Sequence, residues 1–345
     1  MREPAFWWRE AGLAAGLLAP FAAVYGAVAG ARLTRRGARA AVPVICIGNL
    51  TVGGAGKTPL ALTVARRLAA EGATPMFLTR GYGGRLAGPL RVDPAQHRAA
   101  DVGDEPLLLA RSAPTFVARD RVAGAEASVA AGASVIVMDD GFQNPSLGKD
   151  FSVLVVDGRR GIGNGRVVPA GPLRAPLMAQ LARADALVVV GPSKAAAGVT
   201  AAARARGVPV FHAGLEPDAA AATALAGTRV LAFAGIGDPE KLFATLTAAG
   251  VAVAATRSFP DHHRYTPAEA GLLCAQADRE ALMLVTTEKD LVRMQGDAGM
   301  AALAARACAL PVTLRLTNPD AFQQLLRPRL APSSLGSARP PGPAG

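Results

Sequence analysis

The sequence predicts an α/β protein with a mostly parallel sheet flanked by helices, a second, smaller α/β unit behind it, and a membrane-associated helix in front. Three observations carry this expectation. Short β-branched runs at residues 44–47, 74–78, 115–117, 134–138, 152–156 and 186–190 alternate with alanine-rich helical stretches. Strands that alternate with helices build a parallel sheet covered on both faces. A second cycle of strand, glycine turn and helix begins at Arg229 and continues through 251–255, 281–286 and 311–316, after a linker near 214–227. Residues 11–31 carry no charge over about the length of a bilayer-crossing helix, with Trp7 and Trp8 in front and Arg32, Arg35, Arg36 and Arg39 behind.

The expected organisation is therefore a hydrophobic N-terminal segment over 1–40, a first α/β domain over 41–215, a smaller one over 216–328, and a tail over 329–345. From 332 onward the tail is rich in proline, glycine and serine, a composition that does not build a core. In the N-terminal segment alanine, glycine and Pro20 dilute the apolar run, so it reads either as a single span or as a helix lying in the interface. The arginines follow the apolar run, which argues against a cleaved signal and places the next domain on the cytoplasmic side.

Composition narrows the function. Half the chain is hydrophobic and 18% is charged, which excludes wholesale disorder. The 37 basic and 26 acidic residues leave a net charge of +11, but only 5% of the chain is aromatic. With so little to stack bases, the charge points to an anionic membrane face or a phosphorylated substrate, not to nucleic acid. Cys46, Cys274 and Cys308 lie far apart at no metal-binding spacing, as expected of reduced structural thiols.

The run 44–47 leads into Gly48-Asn49-Leu50-Thr51-Val52-Gly53-Gly54-Ala55-Gly56-Lys57-Thr58-Pro59, and 60–70 is compatible with a helix. A glycine-rich loop between strand and helix turns backbone N–H groups toward one anion, and a lysine at its end meets the β- and γ-phosphates. Thr51 to Thr58 are the candidate nucleotide contacts, with the Thr58 hydroxyl a magnesium ligand and ATP the expected donor. The strict motif has glycine where Thr51 stands, so the match is to its core; the flanking strand and helix complete a P-loop NTPase-like reading.

Apolar strand 134–138 ends in Asp139 and Asp140. A strand beside a phosphate loop can deliver an aspartate to magnesium, and a carboxylate at a strand end can also cap the next helix. Asp104 and Glu105 precede the apolar run 107–110 and read alone as an ordinary helix start. Asp261, His262 and His263 sit in a loop with no further residue at zinc spacing; an Asp–His pair there can hold a proton. The loop 163–174 carries Asn164 and Arg174, side chains suited to a sugar hydroxyl and a phosphate, or simply to a surface loop. The charges of 286–290 read as structural.

Taken together, the stretches GNLTVGGAGKTP, RGYGG, VGDEP, MDDGFQ, GNGRVVPAGPLR, AGIGDP, FPDHHRY and TTEKD occur in this order over about residues 40–295. The set resembles the tetraacyldisaccharide 4′-kinase family of lipid A biosynthesis. Two positions depart from the family pattern: Ala175 stands where the family has glutamate, and Asn144 where it has histidine.

The resemblance implies ATP- and Mg2+-dependent phosphorylation of the 4′-hydroxyl of a lipid A disaccharide 1-phosphate at the cytoplasmic face of the inner membrane. It implies that Asp104 and His262 act as a catalytic pair alongside Lys57, and that magnesium is held by Thr58, Asp139 or Asp140, with Glu105 nearby. Tyr82, Asn164 and Arg174 are then candidate substrate contacts. Nothing in the sequence names a protein partner. Two rivals remain at this stage. A partitioning or targeting ATPase has a signature lysine where Val52 stands, and a nucleotide-gated membrane adaptor has no need of Asp104 and His262.

Overall fold

The computed structural model describes residues 3–330. After a short 3-10 turn at Ala5–Trp8, the apolar segment forms two helices, α1 (Leu13–Leu17) and α2 (Ala19–Leu33). Pro20 falls at the start of α2, where its missing N–H costs nothing. No helix among the described residues is long and apolar enough to cross a membrane.

Leu13, Leu17, Phe21, Val24, Tyr25 and Val28 follow each other at helical spacing and are exposed, Leu13 at 90% and Phe21 at 67%. The opposite side of α2 is buried through Ala22 and Gly26, and Gly26 packs on Val167 and Pro176. The helix therefore turns its small residues to the protein and its large apolar ones outward.

The large sheet has nine strands in the order β13-β8-β7-β6-β1-β5-β2-β4-β3. They are β1 (Val44–Asn49), β2 (Pro75–Thr79), β3 (Leu90–Arg91), β4 (Thr115–Val117), β5 (Val135–Asp139), β6 (Phe151–Asp157), β7 (Ala186–Val190), β8 (Val210–Pro217) and, much later in the chain, β13 (Val312–Leu316). Every pairing from β8 through β4 is parallel; only β13 with β8 and β3 with β4 run antiparallel. The smaller sheet, ordered β10-β9-β11-β12, is all parallel and consists of β9 (Arg229–Ala234), β10 (Ala252–Ser258), β11 (Met283–Thr286) and β12 (Ala307–Ala309).

Alternate residues of the central strands feed two cores, as burial on both faces of a parallel sheet requires. Val44, Cys46, Met76, Leu78, Ile136 and Met138 join one cluster. Ile45, Ile47, Phe77, Val135 and Val137 join the other, against Leu60, Val64 and Leu68 of helix α3 (Lys57–Ala70). At Gly48 the strand passes so close to Phe142 that an added Cβ would stand 2.3 Å from the Phe142 Cβ. Gly48→Ala is expected to cost about 1–3 kcal/mol by overpacking, read as a fall of about 3–10 °C in the thermal unfolding midpoint; an unchanged midpoint contradicts the close approach.

Two expectations are corrected. Residues 311–316, read as a continuation of the smaller unit, instead form β13 at the edge of the large sheet, with Leu314 opposite Leu215 and Leu316 opposite Ala213. Leu314 and Leu316 bury with Phe322 and Leu326 beneath that sheet, which draws the chain back across. The stretch near 214, read as linker, is the end of β8, whose alanine, glycine and proline hide its strand character. The tail 332–345, expected to be disordered, lies outside the described residues.

Helices α4 (Asp104–Ala110), α5 (Glu240–Ala248) and, after α6 (Pro267–Glu280) has packed on the smaller sheet, α7 (Glu288–Met294) frame the space between the two sheets. Lys241 of α5 pairs with Asp157 at the end of β6, and Val292 of α7 packs with Val102, Leu107 and Val117 of the larger unit.

Candidate active site

A cleft of ≈ 1610 Å³ opens between the sheets and is lined by residues 52–58, Tyr82, Glu105, Asp139, Asp140, Arg174, His262 and Lys289. In a parallel sheet a ligand sits beyond the carboxyl ends of the strands, and β1 and β5 end here.

The loop after β1 is held from several directions. The Asn49 side-chain amide donates to Gly53 O at 2.8 Å, and Val52 N–H donates to Pro172 O at 2.8 Å. Arg174 Nε donates to Thr51 O at 3.0 Å. Gly56 has φ +95°, a left-handed conformation that glycine adopts at no steric cost, and it feeds directly into α3. The result places the positive end of a helix, and Lys57 at its first position, at the floor of the cleft. Burial pulls the Lys57 ammonium below its usual range, and Asp140, 3.8 Å away, works against that pull.

The two aspartates at the end of β5 have separate partners. Asp139 is buried; its Oδ2 accepts from the Thr58 hydroxyl at 2.8 Å, and its Oδ1 has no hydrogen-bond partner among the described residues. Burial pushes its carboxyl up to about 6. Asp140, at φ 55°, takes both Arg174 guanidinium nitrogens, at 2.6 and 3.2 Å. Its burial would raise it, but Lys57 and Arg174 bring it down to about 2. A buried, orphaned carboxylate oxygen beside a hydroxyl is the hard-oxygen donor set that magnesium takes, so Thr58 and Asp139 fit the expected ion, whereas Asp140 is already neutralised by arginine.

Across the cleft His262, from the loop after β10, meets Asp104 at the start of α4: Nδ1 lies 3.1 Å from Asp104 Oδ2. His262 is held at φ 55°, with its backbone N–H donating to Gly235 O at 3.1 Å. Asp104 is only 4% exposed. Burial would raise its carboxyl, yet hydrogen bonding to Glu105 and His262 and the charges of Lys289 and Arg293 hold it well below the usual range. An ionised acceptor at Nδ1 makes that nitrogen the donor and leaves Nε2 as the free base. The Asp104 hydrogen bond raises the imidazole above its ordinary value, against the effect of burial.

Glu105 lines the same cleft, and its carboxylate takes Lys289 Nζ at 2.6 Å. Burial pushes it up to about 7, opposed by Lys289 and reinforced by Asp104. Asp104, Glu105 and His262 each offer a ligand atom, all within 4.8 Å of one another, but Arg293 and Lys289 already supply positive charge to both carboxylates. The Tyr82 ring stands edge-on to His262 with centroids 5.4 Å apart.

The remaining candidates divide. Arg174 reaches the cleft through its pairing with Asp140. Asn164 is engaged inside its own loop: its Nδ2 donates to Ala170 O at 2.9 Å, its Oδ1 accepts from Arg166 N–H, and Trp7 O takes its backbone N–H. Sequence reasoning took Lys289 as structural and passed over Arg293; their spacing of four on one helix was the available signal. It also passed over Arg121, 2% exposed, whose Nε lacks a partner among the described residues and whose guanidinium burial lowers to about 10.

A family model described as tetraacyldisaccharide-1-P 4′-kinase matches residues 14–331. A tetraacyldisaccharide 4′-kinase of Methylobacterium sp. (strain 4-46) is 57% identical over 341 residues, 99% of this chain and 100% of that protein. One of Nitrobacter winogradskyi is 54% identical over 331 residues, 96% of this chain and 98% of that protein. Among solved structures, LpxK from Aquifex aeolicus in complex with ATP superposes with a TM-score of 0.71 at 27% identity, covering 92% of this chain and 99% of that one. A phosphate loop facing an aspartate–histidine pair, with agreement of this extent along the whole chain, settles the family: the chain belongs to the tetraacyldisaccharide-1-P 4′-kinases.

Proposed function

We propose that this chain transfers the γ-phosphoryl group of ATP to the 4′-hydroxyl of a tetraacyl disaccharide 1-phosphate, a lipid A precursor, at the cytoplasmic face of the inner membrane. The observation that carries this is the Asp104–His262 pair: His262 lines the cleft whose floor is the phosphate loop, and buried Asp104 holds its ring from behind. A nucleotide-gated adaptor has no acceptor hydroxyl to deprotonate, and so no use for the pair, and a partitioning ATPase has its signature lysine where Val52 stands.

Phosphoryl transfer asks a protein mainly for positioning and charge neutralisation. Lys57 and the loop N–H groups hold the β- and γ-phosphates. Magnesium, held by Thr58 and Asp139, supplies further neutralisation of phosphate charge when bound. Arg174 keeps Asp140 neutralised and ties the loop 163–174 to Thr51, so the floor is fixed before nucleotide arrives. His262 Nε2 accepts the proton of the 4′-hydroxyl as it attacks, while Asp104 fixes the tautomer and stabilises the imidazolium that forms. The two sheets act as lobes, the larger binding ATP and the smaller carrying His262 over the acceptor, with Tyr82 against the sugar.

A substrate with four acyl chains stays in the bilayer, so the enzyme works at the surface. The exposed apolar face of α1 and α2 lies in the lipid interface, and Arg32, Arg35, Arg36 and Arg39 meet anionic headgroups. Phe21→Glu with Val24→Glu is expected to lower partition onto anionic vesicles by at least about tenfold, measured by co-sedimentation; unchanged partition contradicts the placement of that face.

The function is tested by incubating the full chain in detergent with γ-labelled ATP, magnesium and a lipid A disaccharide 1-phosphate. Label is expected at the 4′ position. Hydrolysis of ATP without labelled lipid would favour the ATPase reading.

A further inference from the structure

The side chain of Arg293 of α7 is 6% exposed and reaches three segments at once. Its Nε donates to Asp104 Oδ2 at 2.6 Å, with Nη2 2.5 Å from the same oxygen. Its Nη1 donates to Gly235 O at 2.6 Å and to Asp290 Oδ1 at 2.8 Å. Gly235 O is also the acceptor for the His262 backbone N–H. One guanidinium therefore touches the carboxylate that holds the His262 ring and the carbonyl that holds the His262 backbone. Asp290 in turn is fully buried and accepts from Gly235 N–H, the Tyr265 hydroxyl and the Thr287 hydroxyl, so the guanidinium is anchored to a fixed point of the smaller unit.

We infer that Arg293 is the positioning residue of the Asp104–His262 pair, registering an aspartate of the larger unit to a histidine of the smaller one. A plainer account makes Arg293 the counter-charge of buried Asp290 alone. That account explains Nη1 but leaves the donation to Asp104, in another unit, without purpose. The planar fork of arginine serves several acceptors in fixed directions, which the single ammonium of lysine does not. Lys289, one turn earlier, does the matching task on Glu105 and leaves Asp104 to Arg293.

The inference rests on the reading of Asp104 and His262 as the pair that deprotonates the acceptor. It is tested by steady-state kinetics of the full chain, with Arg293→Ala and Arg293→Lys made in the wild-type and Asp104→Ala backgrounds. In the wild-type background Arg293→Ala is expected to lower kcat about 100-fold while the KM for ATP stays within about threefold, and millimolar guanidinium is expected to restore part of the rate. Arg293→Lys, which keeps the charge beside Asp290, is expected to lie between the two and keeps the test readable if the alanine variant does not fold. With Asp104 already removed, either change is expected to alter kcat by less than about threefold, because residues acting as a unit are not additive. Equal losses in both backgrounds would overturn the inference and leave Arg293 a structural counter-charge. A wild-type rate in Asp104→Ala alone would overturn the reading of the pair and this inference with it.

Discussion

Lys57→Ala is expected to lower kcat by about three decades, and Asp139→Asn by about two to three, with the fold intact by thermal unfolding. The reason is where the charge sits. The Lys57 side chain is mostly buried at the first position of α3, so its ammonium has lost much of its water and interacts with phosphate more strongly than an exposed lysine would. Removing it leaves the loop N–H groups to hold the transferring phosphoryl alone. Asp139→Asn keeps the shape and the Thr58 contact but removes the negative charge with which the buried carboxylate would hold magnesium. Its loss should therefore shrink as magnesium is raised, whereas that of Lys57→Ala should not. Wild-type turnover in either variant would contradict the assignment of the cleft floor.

His262→Ala and Asp104→Asn are each expected to lower kcat by about two to four decades while ATP affinity stays within about threefold, because neither side chain belongs to the phosphate loop. The pH dependence gives a second handle. The base must be neutral to accept a proton, so kcat falls as pH drops through the His262 pKa, which the Asp104 hydrogen bond raises. Asp104→Asn withdraws that stabilisation of the imidazolium, so the acid limb of its residual activity should move to lower pH. A limb that stays in place, or moves to higher pH, would mean that the titrating group is not His262. Glu105, which burial pushes up to about 7, is the competing candidate, and Glu105→Gln in the same profile separates the two.

Much of this was legible in the sequence, and what was missed has physical causes. The order of the first six strand runs and the loop 48–59 follow from local pattern: buried parallel strands are β-branched runs, and a glycine loop between strand and helix has few other uses. Asp104 and His262, 158 positions apart, carry no local signal; each looks like an ordinary helix start or solvated loop, and family resemblance alone joined them. Strand β13 was assigned to the smaller unit because sequence order suggests it, yet it pairs with β8 since Leu314 and Leu316 bury in the larger core. Asn164 has the chemistry of a substrate contact, and only the folded loop shows its amide engaged with Ala170 and Arg166. Lys289 reads as a structural charge, and Arg293 goes unremarked, until α7 is docked on α4, where they face Glu105 and Asp104.

The claim at the centre is that an aspartate from one unit and a histidine from the other act as a single base for a hydroxyl that attacks ATP. It is tested most directly by the single-turnover rate of 4′-phosphoryl transfer in Asp104→Ala, His262→Ala and the double variant, with ATP and lipid acceptor saturating. The double variant is expected within about threefold of the slower single one. Losses that multiply in the double variant, or a wild-type rate in either single one, would contradict the claim.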